Sequence, residues 1–179
     1  MNAYKQCSRK GKCKLKINII LVEPEIPHNT GNIARTCSCT DVKLHLIKPL
    51  GFSLEEKHLK RAGLDYWDKL DLEVHEDIES FFTKYSINEN NMFLVTTKAP
   101  KKYTEIQYPK YEEIFLLFGK ETKGLPETLL KENLEKCIRI PMANGIRSLN
   151  LSNAVAIVTY EVLRQADFNN LKEVSEILL

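Results

Sequence analysis

Short apolar runs rich in β-formers recur along the chain, and stretches with helical periodicity separate them. Runs of strand length that alternate with helical segments are typical of βα repeats, in which helices cover a mostly parallel sheet. The pattern therefore predicts an α/β fold. The predicted strands are Ile17–Val22, Leu44–Ile47, Met92–Thr96, Ile114–Phe118 and Cys137–Ile140.

Helix boundaries are marked by capping residues. Ser53 and Glu56 form a capping box, in which both side chains satisfy free amides of a first turn, and Gly63 suits the end of that helix. In the last predicted helix, apolar residues at helical spacing form one broad face. The predicted helices cover residues 53–63, 77–82, 126–133 and 150–165.

Length and composition fit one globular domain. The chain has 179 residues, of which 43% are hydrophobic and 28% charged, and single domains usually have about 100–200 residues. No apolar run approaches the roughly 20 residues of a membrane helix, and the basic start lacks the apolar stretch of a secretory signal. We expect a cytoplasmic protein without a membrane partner. Its domain should cover residues 16–167, with a basic extension at 1–15 and a tail at 168–179.

Positive charge is concentrated at the start of the chain. Six basic and no acidic residues lie within residues 1–16, whereas the remaining 20 basic and 24 acidic residues leave the body at −4. A basic arm can add sequence-independent affinity for a polyanion. A plain disordered extension explains the same composition, so charge alone favours RNA binding only weakly.

The five cysteines and four histidines show none of the usual metal-ligand spacings, since neither C-x-x-C nor H-E-x-x-H occurs. A zinc site built from the cysteines at positions 7, 13, 37 and 39 is conceivable but lacks typical zinc-ligand spacing. We therefore expect reduced thiols and no metal.

The segment Glu23–Cys37 carries more polar groups than a simple connection needs. It follows a predicted strand directly, at the carboxyl end where open α/β sheets bind ligands. Asn29, Thr30 and Asn32 are capping residues around a new helix that carries Arg35. Free amides at a helix start and an arginine fork suit a phosphate. The alternative is an ordinary capped helix.

Two later segments have the same polar character. Leu116–Pro126 has G-x-x-x-x-G spacing, but Leu125 and Pro126 stand where a P-loop needs lysine and a hydroxyl residue. A nucleoside-triphosphate site is therefore not expected. Ile138–Val155 opens its helix with several short polar side chains, and because one cap is enough, the surplus indicates ligand contacts.

Together the three segments resemble the motifs of the SPOUT superfamily of RNA methyltransferases. From Lys16 to Gln165 the chain is similar to the tRNA 2′-O-methyltransferase branch known as TrmL or YibK. The resemblance rests on Glu23–Arg35, Leu46–Phe52, Arg61–Tyr66, Phe118–Pro126 and Ile138–Asn153.

The resemblance implies a single-domain SPOUT fold with a C-terminal trefoil knot, acting as a homodimer. It implies methyl transfer from S-adenosylmethionine, without a metal, to the ribose 2′-hydroxyl of the wobble nucleotide in a tRNA anticodon loop. S-adenosylhomocysteine would be the product, and the target a cytidine or a modified uridine. The alternatives are another tRNA or rRNA nucleotide, or a catalytically silent RNA-binding relative.

The resemblance also assigns site residues. Arg35 would bind the RNA phosphate and stabilise the developing alkoxide rather than act as a base, because guanidinium stays protonated. Val95, Ile140 and Leu149 could equally be core residues, and Lys57, Lys60 and Arg61 a solvated helix face. The implied catalytic residues are Arg35, Tyr160 and Lys98; the cofactor residues are Val95, Thr96, Gly119, Ile140, Ser148 and Leu149; the substrate residues are Asn29, Asn32, Arg35, Asn150 and Ser152.

Overall fold

The structure is a computed structural model that describes residues 15–54, 69–85, 87, 91–108, 112–168, 171–172 and 174. The predicted capping-box helix over 53–63 lies almost entirely outside the described residues. So do the basic arm before Leu15 and the cationic positions 57, 60 and 61.

One parallel sheet forms the centre of the described structure. Its seven strands lie in the order β3-β2-β1-β6-β4-β7-β5, and every neighbouring pair is parallel. All strands therefore end at the same edge of the sheet. The strands are β1 (Lys16–Val22), β2 (Lys43–Ile47), β3 (Leu72–His75), β4 (Met92–Val95), β5 (Lys101–Lys102), β6 (Glu113–Phe118) and β7 (Cys137–Arg139).

Helices cover both faces of the sheet. Side chains alternate across each strand, so Ile19 and Leu21 of β1 pack on one face with the first and last helices, while Ile20 packs on the other with Phe81 and Leu130. This arrangement explains why the central strands are apolar on both faces over most of their length. The described helices are α1 (Pro27–Thr40), α2 (Ile78–Lys84), α3 (Glu127–Glu132) and α4 (Leu151–Gln165), with short 3₁₀ turns at Tyr103–Glu105 and Leu134–Lys136.

The five strands expected from the sequence are present, within one residue at each end. The structure adds two short strands that apolar pattern did not indicate. β3 carries Glu73 between its apolar residues, and β5 consists of two lysines. Both lie at the edges of the sheet, where burial is incomplete and the apolar signal is correspondingly weak.

A buried polar network crosses the sheet on the α2 side. The Asn18 Nδ2 donates to Glu113 Oε1 and to the Ile114 carbonyl, both at 3.1 Å. The Asn18 Oδ1 therefore accepts from His45 Nε2 at 3.1 Å, which leaves His45 Nδ1 to accept from His75 Nε2 at 3.1 Å. Burial lowers the pKa of His45 to about 3 and also lowers that of His75, so both rings are neutral at neutral pH.

Candidate functional site

A cleft of about 450 Å³ lies at the edge where the parallel strands end. Three chain segments form its walls: residues 95–98 after β4, residues 118–125 after β6, and a stretch from Ile140 to the start of α4. Ile26 and Asn29 close one side. The volume lies within the roughly 300–1,000 Å³ typical of small-molecule sites. The three polar segments identified in the sequence therefore converge on one cavity.

The turn after β6 depends on its glycines. A Cβ atom on Gly119 would lie 2.0 Å from the Gly124 carbonyl carbon and 2.0 Å from the Leu125 nitrogen, so no side chain fits there. Gly124 has φ +73°, a left-handed conformation that glycine adopts without strain, and its amide donates to the Lys120 carbonyl at 2.8 Å. The two arms of the turn therefore pack directly against each other at the wall of the cleft.

Glu25 and Glu121 hold this turn against the start of α1, and we call this pair of glutamates the clasp. The Glu121 carboxylate accepts from the Glu25 amide at 2.9 Å and from the Ile26 amide at 3.3 Å. In return, Glu25 accepts from the Thr122 amide at 3.1 Å and from its hydroxyl at 3.0 Å. Ile26 is the N-cap of α1 and provides no side-chain cap of its own. A carboxylate from 95 residues away thus occupies the anion position at this helix end.

This arrangement corrects the sequence-based account of the first polar segment. Asn29 and Thr30 were expected to cap the helix and leave amides for a phosphate, but both lie inside α1 and are buried. Helix α1 begins earlier, because Pro27 suits the first turn. The two amides just before it bind Glu121.

Asn29 connects the clasp to α4. Its Nδ2 donates to Glu121 Oε1 at 2.9 Å, and its Oδ1 accepts from Asn150 Nδ2 at 3.0 Å. Asn150 in turn caps α4, because its Oδ1 accepts from the Ser152 amide at 2.9 Å and from the Ser152 hydroxyl at 2.7 Å. One chain of hydrogen bonds therefore holds all three polar segments in register.

The structure brings together most of the predicted site residues. All six predicted cofactor residues line the cleft, as do Lys98, Asn29 and Asn150. Lys98 binds Glu127 at 2.8 Å, and this bond holds the pKa of the Glu127 carboxyl below its usual value. The catalytic and binding roles of these residues stay predictions.

Four predicted residues lie outside the cleft walls. Asn32 and Ser152 are half-buried on α1 and α4, and Arg35 is exposed on α1. Tyr160 is exposed on α4, with 46% of its surface accessible. α1 and α4 share one apolar cluster, so Arg35 and Tyr160 belong to the same helical layer.

Sequence reasoning missed Glu25, Glu121, Thr122 and Arg147 as parts of the site. The last of these lines the cleft and donates from Nη2 to the Thr122 carbonyl at 3.2 Å. A signal for Glu121 was available, since an acid between two closely spaced glycines has no helical or strand role. Its partners could not be found this way, because they lie more than 90 residues away in the chain.

A second polar cluster lies within the sheet, away from the cleft walls. Ligand-type atoms of His45, Glu73 and His75 lie within 4.8 Å of one another, as in a metal site. However, the two histidines already bond each other. Glu73 accepts from Tyr85 at 2.6 Å and pairs with Lys43 and Lys84. Two ammonium groups on the one carboxylate oppose a cation, so the cluster is explained by hydrogen bonds and ion pairs.

Comparison with known proteins gives consistent matches. Residues 16–160 match the sequence profile of the SpoU rRNA Methylase family. A Listeria monocytogenes protein is 53% identical over 156 residues, covering 86% of this chain and 90% of that protein. A Yersinia pestis relative called tRNA (cytidine(34)-2′-O)-methyltransferase is 45% identical over 156 residues, covering 85% and 95%.

Solved structures agree with these matches. A structure described as giving insight into the 2-OH methylation of C/U34 on tRNA superposes with a TM-score of 0.79 at 38% identity. The match covers 88% of this chain and 99% of that one.

Proposed function

Because the chain belongs to the SpoU rRNA Methylase family, we propose that it transfers a methyl group from S-adenosylmethionine to the ribose 2′-hydroxyl of the wobble nucleotide in a tRNA anticodon loop. The nucleotide is a cytidine or a modified uridine. Relatives of similar length that carry this activity in their names support the choice of target. The observation that carries the proposal is the convergence of the three polar segments on one cleft.

The cleft fits a nucleoside cofactor. Gly119 lets the two arms of the turn after β6 touch, and this turn lines the cleft together with the apolar surface of Val95, Ile140 and Leu149. Thr96 and Ser148 add polar groups to two of the walls. When bound, S-adenosylmethionine supplies an already activated methyl group, so the protein mainly has to position the acceptor.

Arg35 serves the acceptor side of the reaction. Its guanidinium keeps its protons and therefore binds an RNA phosphate and stabilises the ribose oxygen as charge develops there. The proton passes to phosphate or water. Tyr160 and Lys98 complete the set of substrate-facing groups in this proposal, with no metal.

The working form is a homodimer with the exposed side of α4 in its interface. Ile157 and Tyr160 are 37% and 46% exposed on that helix, and Leu149 and Ile26 are exposed beside the cleft. A second copy on this surface covers these groups and places Arg35 near a cleft that it does not line within one chain. An Ile157→Asp variant should run as a monomer in light scattering with size-exclusion chromatography; a persistent dimer would contradict this interface.

The SPOUT fold of the family carries a trefoil knot, and we include it in the proposal for the C-terminal part of the domain. The interleaved order of β6, β4 and β7 in the sheet supports this threading. An experimental density map traced through these residues tests it. The activity is cytoplasmic in this proposal; among the described residues, no helix is long and apolar enough to cross a membrane.

The decisive experiment uses unfractionated tRNA and S-adenosylmethionine labelled on its methyl group. We expect label in tRNA, and nucleoside mapping should recover it as a 2′-O-methylated pyrimidine nucleoside from position 34. Label on a base would contradict the reaction, and label on another ribose would contradict only the target.

A catalytically silent RNA-binding relative is the second candidate. The intact cleft and hydrogen-bond chain argue against it. Isothermal titration calorimetry separates the two, because a silent module should give no saturable heat with S-adenosylhomocysteine.

A further inference from the structure

Resting on the proposed function, we propose that Lys123 and Arg147 form a phosphate clamp at the mouth of the cleft. The clamp grips the RNA backbone next to the target nucleotide, whereas Arg35 serves the reacting ribose.

The charges that line the cleft lead to this pair. Lys98 is paired with Glu127, and Lys120 with Glu23. Glu121 is occupied by the amides before α1 and by Asn29. Within the described part of the chain, Lys123 and Arg147 have no carboxylate partner. The mouth therefore carries two uncompensated positive charges, which favour an anion.

The two cations lie on neighbouring loops. Arg147 Nη2 donates to the Thr122 carbonyl at 3.2 Å, and Thr122 directly precedes Lys123. Since one of five guanidinium donors is used in this bond, the others remain available for a phosphate. The loops are linked without cancelling either charge.

Both cations lie where they can contact a large ligand at the surface rather than a small ligand inside the cleft. Their side chains are exposed although both residues line the cleft. The glycines beside them, Gly124 and Gly145, have open space where a Cβ would lie. An extended anticodon loop can therefore approach over these glycines with its backbone beside the cations.

Salt dependence tests the clamp. Binding of a fluorescently labelled tRNA is measured by fluorescence anisotropy at a series of KCl concentrations, for wild type, Lys123→Ala and Arg147→Ala. Each lost contact to a single-stranded phosphate should reduce the slope of log K against log salt by about 0.7. Affinity for tRNA should fall several-fold in both alanine variants, while in Lys123→Ala the Kd for S-adenosylhomocysteine stays unchanged. Arg147→Lys should restore the slope but only part of the affinity, because lysine lacks the fork.

Lys102→Ala and Lys131→Ala are matched controls, because each removes an exposed cation that does not line the cleft. Their salt slopes should equal that of wild type. Unchanged slopes in the Lys123 and Arg147 variants would overturn the clamp, as would equal losses in the controls. Weaker S-adenosylhomocysteine binding with an unchanged slope would instead place Arg147 on the cofactor and also overturn it. Wild-type label transfer decides the proposed function separately.

Discussion

Gly119 and Glu121 stand two residues apart in the same turn and serve the cleft in different ways. Gly119 has no side chain, so its backbone can touch that of the segment at Gly124. Glu121 contributes a charge that binds amides from another part of the chain. The first requirement could be anticipated from glycine spacing. The second could not, because a carboxylate in a turn gives no indication of which amides it will meet.

Gly119→Ala should destroy the cofactor site. The new Cβ would lie 2.0 Å from backbone atoms of Gly124 and Leu125, so the turn has to open. We expect calorimetry to show a loss of S-adenosylhomocysteine affinity by at least an order of magnitude. Gly145→Ala is the control: it has φ +81° but open space, so it should cost roughly 1–3 kcal/mol of stability through strain and leave affinity intact. Equal affinity in both variants would refute the role of Gly119.

Arg35→Ala should reduce kcat while leaving cofactor binding nearly intact. Arg35 is exposed on α1 and does not line the cleft. Loss of one donor that stabilises developing negative charge costs about 10²–10³-fold in kcat. Single-turnover methylation and calorimetry measure the two quantities separately. Arg35→Lys should retain part of the rate, and an undiminished rate in the alanine variant would remove Arg35 from the mechanism.

At the scale of elements, the sequence correctly predicted those strands and helices whose bounds are set by apolar periodicity and burial. The strands with long apolar runs were predicted to within one residue at each end. Helix α2 begins at Ile78, one residue after the predicted start, because Asp77 is its N-cap: the Asp77 side chain accepts from the Ser80 amide at 2.7 Å. The start of α1 was wrong because its cap comes from outside the helix. Edge strands β3 and β5 gave no apolar signal because they are only partly buried.

Glu121→Gln should loosen the start of α1. The amide keeps the size of the side chain but loses the charge that accepts from two backbone amides and Asn29. Since hydrogen bonds to charged groups contribute about 1.5–3 kcal/mol each, we expect the free energy of unfolding in urea to fall by roughly 1–3 kcal/mol. KM for S-adenosylmethionine should rise as well.

Glu135→Gln is the control for this substitution. It breaks an exposed ion pair with Lys101 outside the cleft walls and should leave both quantities nearly unchanged. Similar losses in the two variants would mean that the effect is not specific to the clasp.

At the scale of the molecule, the sheet should make the protein sensitive to acid. The pKa of His45 is lowered to about 3 by burial, with smaller contributions from Lys43 and His75. Below about pH 6.5, the His45 ring therefore binds a proton in the unfolded chain, whereas in the folded chain it stays neutral. Stability should fall as pH drops below that value, by about 1.4 kcal/mol per pH unit for His45.

The protein should lose further stability below about pH 4.5. Although partial burial opposes the shift, hydrogen bonds from Lys84, Tyr85 and Lys43 lower the folded-state pKa of Glu73 to about 2. Urea unfolding between pH 7 and pH 5 isolates the histidine contribution. His45→Gln should be less stable at pH 7 but show a flatter dependence; an unchanged slope would exclude His45 as its source.

Strand order was the part of the fold that local pattern left open. β1 lies between β2, which follows it closely, and β6, which begins at residue 113. Pairings across such distances depend on the whole chain rather than on local periodicity. Convergence of the polar segments followed once all strands were parallel, because their carboxyl ends then share one edge.

The central position of β1 affects how the protein can be made on the ribosome. One side of this apolar strand pairs with β2 early, but its other side waits until β6 has left the exit tunnel. Until then, the nascent chain displays an unpaired hydrophobic strand edge, which is a template for aggregation. Slow translation just upstream of residue 113 would lengthen that exposure, so synonymous codon choice in this stretch should influence the yield of native protein.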